Sequence, residues 1–138
     1  MNQNISASIA ATLSQILQHP EEFKLIEEEL SNEIFDGEKP TLDLIKEKLT
    51  RENLRNLDHL SAVVKEALRI SPSIYGKVQV PQKDIDVEGM HFKKGTKIFP
   101  CSGVVGVSNA IWKEPSKFNP ERFDDTSDWA LTPSGDKR

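Results

Sequence analysis

A mainly α-helical fold carrying a small antiparallel β-sheet follows from three features of the sequence. Apolar residues recur at steps of three and four as far as Ile70, the period drops to two from Lys77, and an aperiodic stretch rich in aromatics and prolines comes last. With 138 residues the chain suits one domain or part of a larger one, because two separate cores would each be too thin.

Ile5, Ile9, Leu13, Ile16 and Leu17 fall at helical spacing, with Ser6, Ser8, Ser14, Gln15 and Gln18 between them, and predict a first helix. Pro20 suits the first turn of a second helix, where Glu21 and Glu22 complement the dipole. Its stripe of Phe23, Ile26, Leu30 and Ile34 runs out at about Asp36, before Gly37. Thr41 can cap a short third helix carrying Leu44, Ile45 and Leu49. After the polar TRENLRN, a fourth helix runs from about Leu57 to Ile70 and is stopped by Pro72. KVQV, IDVEG, MHF and TKIF then read as short strands separated by ProGln, GluGly and LysLysGly turns. SNAIWKEP fits one capped turn of helix. SKFNPERFDDTSDWALTPSGDKR reads as a long ordered coil, anchored by Trp112, Phe118, Phe123 and Trp129. The expected organisation is a single unit, residues 1–138: helical over 1–71, a hairpin-rich sheet over 72–107, and a short helix with a meandering coil over 108–138. No repeat, low-complexity tract or flexible linker divides it.

Composition narrows the function classes. Lysine and arginine total 18 against 22 acids, for a net charge of −4 with the signs interleaved, which points away from nucleic acid and from anionic membrane surfaces. The single cysteine, Cys101, excludes an internal disulfide framework, and His19, His59 and His91 lack metal-ligand spacing with it or with one another. No apolar run approaches the roughly 18 residues that cross a bilayer. The start, MNQNISAS, lacks the basic-then-apolar order of a signal peptide. A soluble chain in a reducing compartment is expected. The sequon Asn4-Ile5-Ser6 and the GlyValValGly at 103–106 are short enough to arise by chance and carry no assignment.

The informative residue is Arg122, set between Phe118 and Phe123 in a segment without period. A buried arginine needs a carboxylate and several acceptors, because an unpaired charge in a low-dielectric interior costs several kcal/mol. The fourth helix reads HLSAVVKEALRISP, and Glu66 lies three residues before Arg69, on one face of a mostly apolar helix with Leu60, Val63, Val64 and Leu68. One carboxylate between two guanidinium forks can satisfy three buried charges through bidentate bonds. Glu66, Arg69 and Arg122 are therefore expected to form a triad tying the coil to the fourth helix.

These residues resemble the cytochrome P-450 family of haem-thiolate monooxygenases. The similarity lies in the Glu-x-x-Arg pair within VVKEALRISP, the hairpin region with its KKGT turn, and WKEPSKFNPERF, taken in this order and spacing. It extends to ISASIAATLSQILQHPEEFKLIEEEL, which looks like the end of the family's long central helix and the helix after it. The resemblance implies a partial P-450 fold, from the end of the central helix to just before the haem-ligand cysteine loop. In it Glu66, Arg69 and Arg122 hold the haem-side core and have a structural role, not a chemical one. It implies haem, a reductase and a small apolar substrate for the complete parent, which inserts one oxygen atom of O2 and is either cytoplasmic or held at the endoplasmic reticulum. Arg138 looks like the loop arginine before the ligand cysteine and is the haem-propionate candidate, with Lys77 and His91 as weaker ones. Ile74 and Tyr75 match the strand entry that lines the substrate pocket, ordinary core packing being the alternative. The family's oxygen-activating acid and threonine fall at Gln3 and Asn4, amides that cannot exchange protons as acids. Cys101 sits in the strand region, away from any thiolate-stabilising loop or helix start, so it is read as a packing residue and no metal ligand is expected in this chain. Alone, the chain is expected to bind no haem and to be inactive. The competing expectation is a free-standing remnant that binds a protein partner through exposed apolar surface.

Overall fold

The computed structural model describes residues 3–130 and 132–135. Its element order is α1 (Gln3–Gln18), α2 (Pro20–Glu33), α3 (Leu42–Lys48), α4 (Asp58–Ile70), β1 (Ile85–Val87), β2 (Met90–Phe92) and α5 (Ser102–Gly106). Three short 3-10 turns, Asn53–Asn56, Pro120–Phe123 and Asp128–Ala130, lie in the connections and the coil. The architecture is the mainly helical one with a small antiparallel sheet that the periodicities predict.

Pro20 stands at the start of α2 with Glu21 and Glu22 in its first turn. The helix stops short of the expected Asp36. Ile34 and Phe35 leave it to enter a core with Leu57, against which Leu30, Leu44 and Leu60 pack. The positive φ of Asp36 (51°) and Gly37 (79°) then turns the chain. Thr41 caps α3 through its Oγ1, which accepts from the Leu44 N–H at 3.3 Å. Leu57 gives α4 no side-chain cap, and α2 lends one: Glu29 accepts from the His59 N–H at 2.7 Å and the Leu60 N–H at 2.9 Å.

The sheet is smaller than expected. IDV and MHF pair antiparallel, with Asp86 opposite His91, across a turn in which Glu88 (φ 48°) and Gly89 (φ 78°) are both left-handed. KVQV and TKIF make only the isolated bridge Gln79 to Ile98, and Gly76 bridges Cys101. Two-residue alternation specifies which way side chains face but not which strand they pair with. SNAIWKEP contributes one turn, with the Ile111 and Trp112 N–H groups donating to Ser108 O, and no helix.

The glycines of 103–106, left unassigned from sequence, are part of α5 and are needed there. A Cβ on Gly106 would sit 2.2 Å from Arg69 O, and one on Gly103 would sit 2.4 Å from the Tyr75 ring. α5 therefore packs close to the C-terminal end of α4, and a side chain at Gly106, which would meet backbone, would push it away. Cys101 lies at the start of this five-residue helix, contrary to the expectation that no helix start was near it, and its side chain makes no capping bond. α4 is the central element: α1, α2, α5 and the Pro120–Phe123 turn all pack on it.

Candidate functional site

α4 ends in a buried charge cluster. Glu66 and Arg69 lie one turn apart at the apolar centre of the molecule, and the chain returns from the far side to place Arg122 against them in the Pro120–Phe123 turn. That turn is fixed locally by Pro120 at its first position and by Asn119, whose Oδ1 accepts from the Glu121 N–H at 3.1 Å. Relative exposures of 0% for Glu66, 7% for Arg69 and 3% for Arg122 leave the three charges to satisfy one another.

Glu66 Oε2 accepts from Arg69 Nε at 2.7 Å, while Oε1 accepts from Arg69 Nη2 at 2.8 Å, from Arg122 Nε at 3.1 Å and from the Asn119 N–H at 2.9 Å. Arg69 is thus bidentate on the carboxylate. Arg122 meets it through Nε alone, a departure from the expected fork-to-fork pairing. The physical reason lies in the coil: Arg122 turns its remaining fork onto the carbonyls of Lys113, Glu114 and Lys117. Arg69 likewise donates to the carbonyls of Gly106, Pro115 and Lys117, so that each of its five N–H groups has an acceptor.

Two guanidiniums and one carboxylate leave a buried excess of one positive charge. The carbonyls of Gly106, Lys113, Glu114, Pro115 and Lys117 converge on it and supply the negative ends of their dipoles. Aromatic faces complete the cage. Arg69 lies 5.2 Å over the Trp112 ring and Arg122 4.9 Å over Trp129, and Trp112 is tilted against Phe123 at 5.9 Å. Phe118 stacks at 4.4 Å on His19, at the junction of α1 and α2, and so ties the coil to that junction. Lys113 and Lys117 also face Trp129, at 4.7 and 5.2 Å, a convergence of three cations on one indole that no sequence pattern signals.

The other sequence candidates lie apart from this cluster. Ile74 and Tyr75 are 52% and 60% exposed. Their carbonyls anchor the start of α5, Ile74 O accepting from Ser102 Oγ at 2.9 Å and Tyr75 O from the Ser102 N–H at 2.7 Å. His91 is on the hairpin beside carboxylates, its Nδ1 2.9 Å from Asp86 and its Nε2 3.9 Å from Asp84. Lys77 is exposed, as is Asn4 on α1, and Arg138 lies outside the described residues. For Gln3, only its place at the start of α1 is described. No group of three or more His, Cys, Asp or Glu among the described residues is placed to hold a metal. Half-buried Cys101 is the one thiol among the described residues. No helix among them is long and apolar enough to cross a membrane.

Comparison with known proteins bears on the same elements. The profile of the family described as Cytochrome P450 matches residues 3–135. Cytochrome P450 71B8 of Arabidopsis thaliana is 32% identical over 119 residues, an alignment that covers 84% of this chain and 22% of the relative. Tabersonine 3-oxygenase of Catharanthus roseus is 29% identical, covering 88% of this chain and 22% of the relative. Among solved structures, a zebra fish cytochrome P450 with progesterone superposes with a TM-score of 0.73 at 25% identity, over 90% of this chain and 27% of that one. The retinoic acid bound cyanobacterial CYP120A1 gives 0.74 at 22% identity, over 91% of this chain and 26% of that one. The chain therefore spans about a fifth to a quarter of the length of the proteins it matches. With a profile match running through all seven elements and a shared fold around the buried triad, the chain belongs to the cytochrome P450 family.

Proposed function

We propose that these residues form, as one structural unit, the haem-side core of a monooxygenase that inserts one oxygen atom of O2 into an apolar organic substrate, drawing electrons from a reductase. The observation that carries this reading is the three-way join of Glu66, Arg69 and Arg122. Their hydrogen bonds are wholly internal, reach no open site and fix the coil rigidly against α4. The triad's work is therefore positional: it sets where the coil runs. Bound haem supplies the oxygen chemistry in this family, through a thiolate on its iron. The part played by the present residues is to shape the surroundings. Ile74 and Tyr75, exposed beside α5, offer apolar surface to a substrate, and Arg138 offers a cation to a propionate. These 138 residues alone are proposed to bind no haem and to turn over no substrate.

A second reading has its own support. Ile5, Ile9, Leu13 and Leu17 are 53% to 82% exposed on α1, a surface that a free-standing chain would use to bind a protein partner. Intact mass and a carbon monoxide difference spectrum of the native protein, isolated from its source, separate the two. A species several times heavier than 15.5 kDa with a haem-thiolate spectrum is the expected result. A haem-free species at 15.5 kDa overturns the first reading and favours the binding module. Substrate turnover by the isolated 138-residue chain with a reductase would contradict its proposed inactivity.

A further inference from the structure

A groove of about 550 Å³ runs between α2, the first half of α4 and the Pro120–Phe123 turn. Its floor is apolar, from Leu25, Ala62 and the Phe123 ring. Asp58, Glu121 and Asp125 stand on its rim, all exposed, with no cation paired to any of them among the described residues. One wall is closed by the contact of Glu22 with His59, whose Oε2 and Nε2 lie 2.9 Å apart and sealed from solvent. A separate observation shows what chemistry the groove accepts. Lys65 lies along it and holds its ammonium 5.9 Å over the Phe123 ring, so an aliphatic stem with a cationic tip already rests there, supplied by the chain itself.

We propose that this groove is a docking site for a lysine- or arginine-bearing segment of a protein partner. The aliphatic stems of such residues match the floor, and their cationic heads match the unpaired carboxylates of the rim. The charge is local to this side. The chain as a whole carries −4, yet α2 alone, with its sequence PEEFKLIEEELSNE, has six glutamates against one lysine. A basic segment would be steered to the α2 side and then held by the fit of the groove. The proposal rests on these residues and not on haem or oxygen chemistry, so it stands or falls separately from the monooxygenase reading.

The test is titration of the purified native protein with a fluorescent pentalysine peptide, and with a pentaglutamate peptide of the same length, at low and at physiological ionic strength. Pentalysine is expected to bind, weakening with salt, and pentaglutamate to stay free. Glu121→Gln with Asp125→Asn should weaken the lysine peptide about tenfold. Glu28→Gln with Glu33→Gln, which removes the same charge outside the groove, should leave it within about twofold. Ala62→Trp keeps every charge and fills the floor, so it should also weaken binding. Circular dichroism confirms that each variant is folded, and Ala62→Trp decides alone if the rim variant is not. Absence of pentalysine binding at low salt overturns the proposal. So does an equal loss in the rim and distant charge variants, which means diffuse attraction, and so does undiminished binding by a folded Ala62→Trp protein.

Discussion

The join between α4 and the coil and the outer face of α1 are built on opposite terms. At the join, three fully ionisable side chains are buried and their donors are met by a carboxylate and a ring of carbonyls. On α1, a helix with no acid in its first turn and no base in its last, the apolar row Ile5, Ile9, Leu13 and Leu17 faces outward. Polar groups inside and apolar groups outside reverse the usual partition. The reversal is stable at the join because geometry is complete there, whereas an apolar row in water contributes nothing until something covers it. Internal cohesion and interaction surface are thus held by different parts of the molecule.

The largest effect expected from breaking this contrast comes from Glu66→Ala, which strands two guanidiniums in the interior. About 3–5 kcal/mol of unfolding free energy should be lost, with Arg122→Ala nearer the lower end because it leaves the Glu66–Arg69 pair intact. Denaturant unfolding measures both. A change of about 0.5 kcal/mol or less in either would mean that the charges are solvated and the join is not a buried one.

Gly106 tests whether the carbonyl ring matters as well as the carboxylate. A methyl group there would meet Arg69 O at 2.2 Å, so α5 must move away and take with it a carbonyl that Arg69 uses. Gly106→Ala should cost about 1–3 kcal/mol. Gly89→Asn is the matched control: nothing lies within 4 Å of a Cβ there, and its φ of 78° suits asparagine better than most residues. Equal effects at the two positions would show that close packing at α5 has no special role.

How much of this was legible from sequence follows from which forces act locally. α1 to α4 were readable because period, Pro20, Thr41 and Pro72 are signals contained within a few residues. The Glu66–Arg69 pairing was readable from its spacing of three, and the involvement of Arg122 from the cost of burying a lone guanidinium. The one-armed contact of Arg122 was not readable, since it depends on where the carbonyls of Lys113, Glu114 and Lys117 point. α5 was missed because five residues with adjacent valines, next to strand-like KIF, carry more β than α propensity. Its reason for existing is the close approach to α4, which only the folded chain shows. The expected strands KVQV and TKIF failed for the converse reason: their alternation was local, but pairing is not.

A smaller effect sharpens the other half of the contrast. Leu13→Gln on α1 exchanges a residue that is 53% exposed for a polar one of similar helix propensity, and should alter the stability of the 138-residue chain by no more than about 0.5 kcal/mol. A loss of about 2 kcal/mol or more would mean that the outer face of α1 is already covered, for instance by a second copy. Repeating the unfolding at several protein concentrations detects that case.

The smallest effect concerns a carboxylate that uses the triad's chemistry in water. Asp124 Oδ1 accepts from the Thr126 hydroxyl at 2.7 Å and from the Thr126 N–H at 2.9 Å, and these bonds, the hydroxyl first, hold its carboxyl below the ordinary aspartate range. A depressed folded-state pKa means that the contribution is present above the unfolded value and is lost as pH falls through the folded one. Thr126→Ala removes the hydroxyl and keeps the N–H, so Asp124 should titrate at higher pH than in the wild type while remaining below an unperturbed aspartate. Carbon-detected NMR titration of the Asp124 carboxyl reads this directly. An unchanged titration would show that water replaces the hydroxyl at no cost. At the surface a carboxylate can exchange its partners for solvent, but Glu66 has no such substitute, and this difference in available replacement accounts for the distance between the first prediction and the last.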